Sequence, residues 1–168
     1  LKEDFAQARL LRARVLQNMG QHAEVLADAE ALVALDPEEE TYRMLHAQTC
    51  AALGRTDEAV ADCEAVRAQN PFAQEAVLLL GALYEQATQW AKALALYNEA
   101  IDLQPDFAAA YKARGGVKHH LKDEAGAAED LKQALTLAPE KAAEIDGSYT
   151  NVENEMNARY RQMNPYGF

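Results

Sequence analysis

Lys112, Arg114, Lys118, His119, His120 and Lys122 crowd one short stretch of this chain, and of all its residues they are the best placed to do chemistry. Imidazoles ligate metals and move protons near neutral pH. Adjacent residues on a helix project about 100° apart, so His119 and His120 do not hold one ion as an i, i+4 pair would. Cys50 and Cys63 are two thiols without the spacing of a zinc motif. His22 and His46 stand beside no Ser or Cys nucleophile arrangement, and no glycine loop is built to cradle a phosphate. The chain therefore reads as no enzyme, with no cofactor and no metal. Its basic stretch reads as a surface that meets charge elsewhere.

Such a surface has to be positioned by regular elements, whose period is plain. Pro37, Pro71, Pro105 and Pro139 stand 34 residues apart each time. Between successive prolines lie two runs with helical apolar spacing, split by a short polar turn, so each unit is expected to be an antiparallel helix pair. Proline just past the second helix ends it, because its ring lacks an N–H and clashes with the preceding turn.

The unit from Gln74 to Phe107 is the fullest copy. Its first helix carries Val77, Leu80, Gly81 and Tyr84, and its second Ala93, Tyr97 and Ala100, followed by Pro105. Small residues at Gly81, Ala93 and Ala100 admit close helix approach while Leu80, Tyr84 and Tyr97 fill the volume around them. The chain resembles the tetratricopeptide repeat (TPR) family, which shares the 34-residue unit and the small, large, small alternation. The resemblance covers Ala6 to Lys141. It implies an all-α fold: a right-handed superhelical solenoid of four helical hairpins (residues 6–39, 40–73, 74–107 and 108–141), closed by a capping helix and tail (142–168). All of it forms one domain, 1–168.

Rows taken every 34 residues test the frame. Ala13, Ala47, Gly81 and Gly115 stay small, and Val25, Ala59, Ala93 and Ala127 stay apolar, as do Leu32, Val66, Ala100 and Ala134. Leu16, Cys50, Tyr84 and Lys118 break once. Near the start of the first helix, where the family has a large apolar residue, stand Arg9, Arg43, Val77 and Tyr111, and the arginines are expected to snorkel at an edge. Gly20 and Gly54 mark the first two inter-helix turns, where positive φ is often needed. Thr88 and Lys122 replace them later, so those turns are expected to differ. Cys50 and Cys63 are expected to be small buried hydrophobes, able to face one another.

Charge narrows the partners. The chain carries a net charge of −11 at pH 7, which disfavours nucleic acid and anionic membrane as partners. No apolar run reaches the length of a bilayer span. The fourth unit is the exception to the acidity. Its row of Arg114, Lys118 and Lys122 is expected to face the terminal segment, which offers Glu144, Asp146, Glu153 and Glu155.

In the resembled family the first helices line a concave groove that receives a segment of a partner protein. Carried over by position, the lining is Leu10, Arg14, Met44, Gln48, Leu78, Ala82, Glu85, Lys112, His119 and His120. Glu85 stands one repeat before His119 and is expected near it. The resemblance thus implies a protein-binding scaffold for a peptide with apolar side chains and an acidic end near Lys112. A clamp of Lys and Asn for a terminal carboxylate is missing: Met44, Gln48, Leu79, Ala109 and Ala113 stand there. The alternative is self-association, a homo-oligomer whose groove takes the aromatic tail Asn164-Pro165-Tyr166-Gly167-Phe168.

Both ends carry further expectations. Thr150 and Glu153 suit a capping box after a break at Asp146 and Gly147, starting a helix whose stripe of Tyr149, Val152, Met156, Tyr160 and Met163 covers the fourth unit. At the other end, Leu1 and Asp4-Phe5 fit the tail of a preceding unit, so the chain is expected to be truncated there. Cytoplasmic and exported (periplasmic) locations fit the sequence equally.

Overall fold

The structure, a computed structural model, describes residues 2–163. The first repeat holds α1 (Lys2–Asn18) and α2 (His22–Leu35), and the second α3 (Glu40–Ala52) and α4 (Thr56–Gln69). The third holds α5 (Gln74–Gln86) and α6 (Trp90–Leu103), and the fourth α7 (Ala108–His120) and α8 (Glu124–Leu137). A 3-10 turn, Pro139–Lys141, leads into α9 (Ala142–Met163), and the described residues form no strand. The chain divides into two compact units, Leu1–Leu83 and Tyr84–Phe168. Leu1 and the tail from Asn164 to Phe168, on which self-association would rest, lie outside the described residues.

Each proline ends a helix in the same way. The residue before it, Asp36, Asn70, Gln104 or Ala138, has left the helical region with φ of −141°, −131°, −134° and −135°. The proline ring bars the residue before it from the helical conformation. Each of these residues still donates its N–H to the carbonyl of Leu32, Val66, Ala100 or Ala134, so the last turn closes before the chain departs. Those four acceptors form one of the apolar rows, and all are buried.

The inter-helix turns overturn one expectation. Thr88 and Lys122 adopt φ of 55° and 69°, beside 72° at Gly20 and 74° at Gly54. All four turns share one hydrogen-bond pattern. The residue after each left-handed position donates five residues back, from Gln21 to Leu16, Arg55 to Cys50, Gln89 to Tyr84 and Asp123 to Lys118. Satisfying these helix-end carbonyls in every repeat outweighs the roughly 1–2 kcal/mol that a left-handed β-carbon costs.

In the first unit, Val25, Ala29 and Leu32 of α2 pack with Ala13 of α1 and Leu45 of α3. Further along, Met44 and Val66 meet Ala73 and Ala76, and Cys50 and Ala59 meet Leu83. In the second unit Ala127, Leu131 and Ala134 of α8 pack with Ile145 and Val152 of α9. A β-carbon on Gly115 of α7 would sit 3.1 Å from the Leu131 side chain and 3.2 Å from the Ala127 carbonyl oxygen. The small-residue row is therefore set by helix approach.

α9 departs from the sequence reading. It runs unbroken through Asp146 and Gly147, so Thr150 lies inside a helix and caps nothing. A glycine inside a helix costs about 1 kcal/mol relative to alanine. Burying Ile145 and Val152, on either side of it, returns about 3 kcal/mol. Packing wins, and the break closes. Of the expected stripe, Val152 is buried and Met156 half-buried, whereas Tyr160 and Met163 are 64% and 86% exposed. The lid thus buries Ile145 and Val152 against the fourth repeat and leaves Tyr160 and Met163 exposed, and the Tyr149 side chain lies outside the described residues.

Candidate functional site

Three aspartates at the same place in their repeats, Asp28, Asp62 and Asp130, are buried, and each is met by basic side chains from the first helix of its own hairpin. Arg12 grips Asp28 through two nitrogens, and Arg9 adds a third contact at 3.0 Å while lying over the Phe5 ring. Arg114 grips Asp130 at 2.8 and 2.7 Å, and Lys118 adds 2.9 Å. Asp62 receives Arg43 at 3.2 Å and His46 Nδ1 at 2.5 Å. The hydrogen bond from Arg12 holds the Asp28 carboxyl below the usual range, and the hydrogen bond to Asp130 raises the Arg114 guanidinium.

These clusters correct two expectations. Arg9 and Arg43 turn inward to buried carboxylates instead of snorkelling, because a paired guanidinium is what allows an aspartate to be buried there. Arg114 and Lys118 pair with Asp130 on α8 rather than with Glu153 or Glu155 of the terminal segment, whose Glu144 and Asp146 side chains lie outside the described residues. A 34-residue row of Asp28, Asp62 and Asp130 against Arg12, His46 and Arg114 was readable in the sequence. Leu96 and Leu80 occupy that row in the third repeat, which is why the fullest copy of the apolar pattern hid it.

The second cluster has further members. The Asp62 carboxylate can only accept, so His46 Nδ1 carries a proton toward it, while Cys50 Sγ lies 3.5 Å from Nε2 and 3.9 Å from Nδ1 of the same ring. Cys50 thus lies beside the imidazole that Asp62 holds, a Cys–His contact absent from the sequence reading. Cys50 is 0% exposed, and burial pushes its thiol up, so it is no accessible nucleophile. Cys63 is buried as well, its thiol pushed up to about 12 by burial, and both cysteines are free.

The first unit also holds a cavity of about 490 Å³ lined from α1, α3 and α5. Four residues carried over for the groove, Leu10, Arg14, Met44 and Gln48, line it, and Leu45 adds to the apolar floor. Gln17 donates to Gln48 at 3.2 Å, and Gln48 donates in turn to Glu75, which ties the three helices together along one wall. Glu39, Glu40 and Glu75 stand around it, with Arg14 the cation among the lining residues. Leu78 and Ala82 belong to the same unit, half-buried and exposed, but do not line this cavity.

In the second unit the predicted residues disperse. Glu85 accepts from the Tyr97 hydroxyl at 2.8 Å, not from His119 as expected; burial first, and Glu85 second, push that hydroxyl above the usual tyrosine range. His119, half-buried, lies 3.8 Å from Glu155 of α9. Beside it Glu124 takes Arg159 of α9 at 2.5 Å. His120 stacks on Trp90 with ring centroids 4.4 Å apart. Lys112 is half-buried on α7.

Both the repeat rows and the hairpin geometry have relatives. The tetratricopeptide repeat model matches residues 10–74, 51–106 and 78–142, and the chain belongs to that family. A thermophilic TPR protein of Thermus thermophilus superposes with a TM-score of 0.73 at 22% identity, over 96% of this chain and 93% of that one. MamA superposes at 0.72 and 20% identity, over 82% and 81%. The TPR2B domain of yeast Sti1, solved as a complex with pHsp70, superposes at 0.63 and 22% identity, over 69% and 97%. No curated protein matches the chain. The fold is thus the all-α TPR solenoid, a scaffold for protein–protein interaction, and no helix among the described residues is long and apolar enough to cross a membrane.

Proposed function

We propose that the chain is a non-catalytic interaction scaffold whose first unit takes up an extended segment of a partner protein in the cavity over Leu10, Met44 and Gln48. One observation carries the reading: this cavity of about 490 Å³ sets Leu10, Met44 and Leu45 among a larger number of hydrogen-bonding and charged side chains. Volumes of that order suit one or two side chains of a bound peptide. Leu10 offers apolar contact, and the amides of Gln17 and Gln48 can meet a peptide backbone. Three carboxylates against one guanidinium favour a segment that places a lysine or arginine beside its apolar anchor. The solved Sti1 complex is of the same fold, which supports the mode of use and says nothing of the partner here. The acidic peptide end expected near Lys112 is a separate proposal for the second unit.

A displayed peptide library selected on the full chain tests the first proposal. Enriched sequences are expected to pair an apolar residue with a nearby Lys or Arg. Leu10→Glu, at a half-buried position, is expected to weaken the selected peptides at least ten-fold, about 1.4 kcal/mol, without changing helicity. Peptides that bind the folded Leu10→Glu chain as tightly as the parent overturn the reading. Lys112→Glu is expected to leave these peptides unaffected and to release any whose binding needs a carboxylate.

A further inference from the structure

We propose that the chain pairs with a second copy of itself through the outward face of α1, in an antiparallel contact about a two-fold axis. Phe5, Leu11, Val15 and Met19 on that helix are 58%, 64%, 58% and 65% exposed. Ala8, also exposed, Leu11, Val15 and Met19 follow one another at intervals of three and four, so they form a single stripe with Phe5 at its edge. An apolar face of that extent marks an interaction surface.

The repeat register shows that these positions are made for burial. Leu45 stands one repeat after Leu11 and is 6% exposed, and Phe107, Ala110 and Val117 stand three repeats after Phe5, Ala8 and Val15 and are 4%, 0% and 0% exposed. Identical residue types are thus covered there and open on α1. In the second repeat the cover comes from the preceding hairpin, whose Ala29 and Leu32 pack in one cluster with Leu45.

The occupant follows from which helices are already covered. A second copy could extend the stack only by offering the open side of its last hairpin, but Leu131 and Ala134 of α8 are packed with Ile145 and Val152 of α9. The matching open face on a second copy is therefore α1 itself. A patch that meets itself does so about a two-fold axis and closes at two chains. Antiparallel α1 helices set Leu11 and Val15 near the axis with Ala8 leaving room beside them, and lay the Phe5 end of one helix along the Met19 end of the other, a ring beside a thioether. Opposed helix dipoles favour the same arrangement. Arg12 flanks Leu11, but Asp28 grips it, and Arg9 reaches the same carboxylate while lying over Phe5, so no bare guanidinium faces its copy.

Area sets the strength. The four large side chains leave roughly 450 Å² open on each copy, ~900 Å² for the pair, and Ala8 with the Arg12 stem brings the contact to about 1,000 Å², the lower bound of specific interfaces. Pairing is then reversible at micromolar concentrations. At 100° per residue, Leu10, Arg14 and Gln17 stand on the far side of α1 from this stripe, so each pair keeps two open cavities. The pairing does not rest on what those cavities bind, and it uses neither the groove nor the tail.

Sedimentation equilibrium of the full chain across micromolar concentrations tests the proposal. The average mass is expected to rise from 18.5 kDa and level off at twice that value. Leu11→Glu and Val15→Glu, both at exposed positions, are each expected to weaken pairing at least about ten-fold with helicity unchanged. Tyr160→Glu, on the exposed part of α9, is expected to pair as the parent does. A mass that stays at 18.5 kDa overturns the proposal and leaves the face to a different protein. Growth beyond two chains, pairing that survives both Leu11→Glu and Val15→Glu, or pairing lost in folded Tyr160→Glu overturns it as well.

Discussion

The second and fourth repeats build one hairpin plan around a buried aspartate and neutralise it differently. Asp130 is closed in by Arg114 and Lys118, whose side chains are only 16% and 20% exposed. Asp62 has Arg43 and an imidazole, and the imidazole can exist uncharged. The third repeat dispenses with charge and buries Leu96. One backbone register therefore accepts a permanent ion cluster, a titratable one or none. The identity of the partners, not the hairpin, sets how much each cluster matters.

Breaking that comparison begins with the largest effect. Asp130→Ala leaves two half-buried cations without their acid and is expected to cost about 2–3 kcal/mol in urea unfolding. Asp62→Ala is expected to cost less, about 1–2 kcal/mol, because it strands one cation, Arg43, where Asp130→Ala strands two, and an imidazole needs no counter-charge when neutral. Equal losses at the two sites would show that cation burial does not distinguish the repeats. Replacing Asp130, Arg114 and Lys118 together by Leu is expected to recover most of the loss, since the third repeat already uses the apolar solution.

Asp28 sharpens the comparison through pH. Its folded carboxyl is held low by Arg12, so the unfolded chain takes up that proton first as pH falls. The stabilisation is present in full above about pH 4 and is lost as pH drops through the lower folded value. Asp28→Asn is expected to flatten the acid limb of stability against pH below about 4, and an unchanged slope would assign acid unfolding to other carboxylates.

The smallest effects lie in the turns. Lys122→Gly and Thr88→Gly remove β-carbons from left-handed positions and are expected to stabilise by roughly 0.5–1 kcal/mol each, read as a rise in melting temperature. Gly54→Thr is expected to lose a similar amount. A null result at Lys122 with a loss at Gly54 would mean that its side chain compensates for its backbone.

Several of these features were legible as text. The proline row marks helix ends through a clash with the residue immediately before it, and the apolar rows mark burial through a period of 34. Leu10, Arg14, Met44 and Gln48 were found by register and line one cavity. His119 and Glu85 were placed by the same register, which could not show that they contact Glu155 of α9 and the Tyr97 hydroxyl. Gly147 was read as a break because composition weighs local cost alone, whereas the contacts of Ile145 and Val152 outweigh it.

What the amino-acid order determined by itself is whatever depends on neighbours in the chain: helix ends, turn positions, the repeat and the buried rows. Long side chains such as Arg114 and Lys118 had several acids in the sequence to pair with, and their pairing with Asp130 follows from distances across space. The same is true of the His46, Cys50, Glu58 and Asp62 grouping, drawn from two helices. Tertiary structure decided these pairings, because electrostatic and hydrogen-bond energies depend on separation in space, and separation along the chain does not supply it.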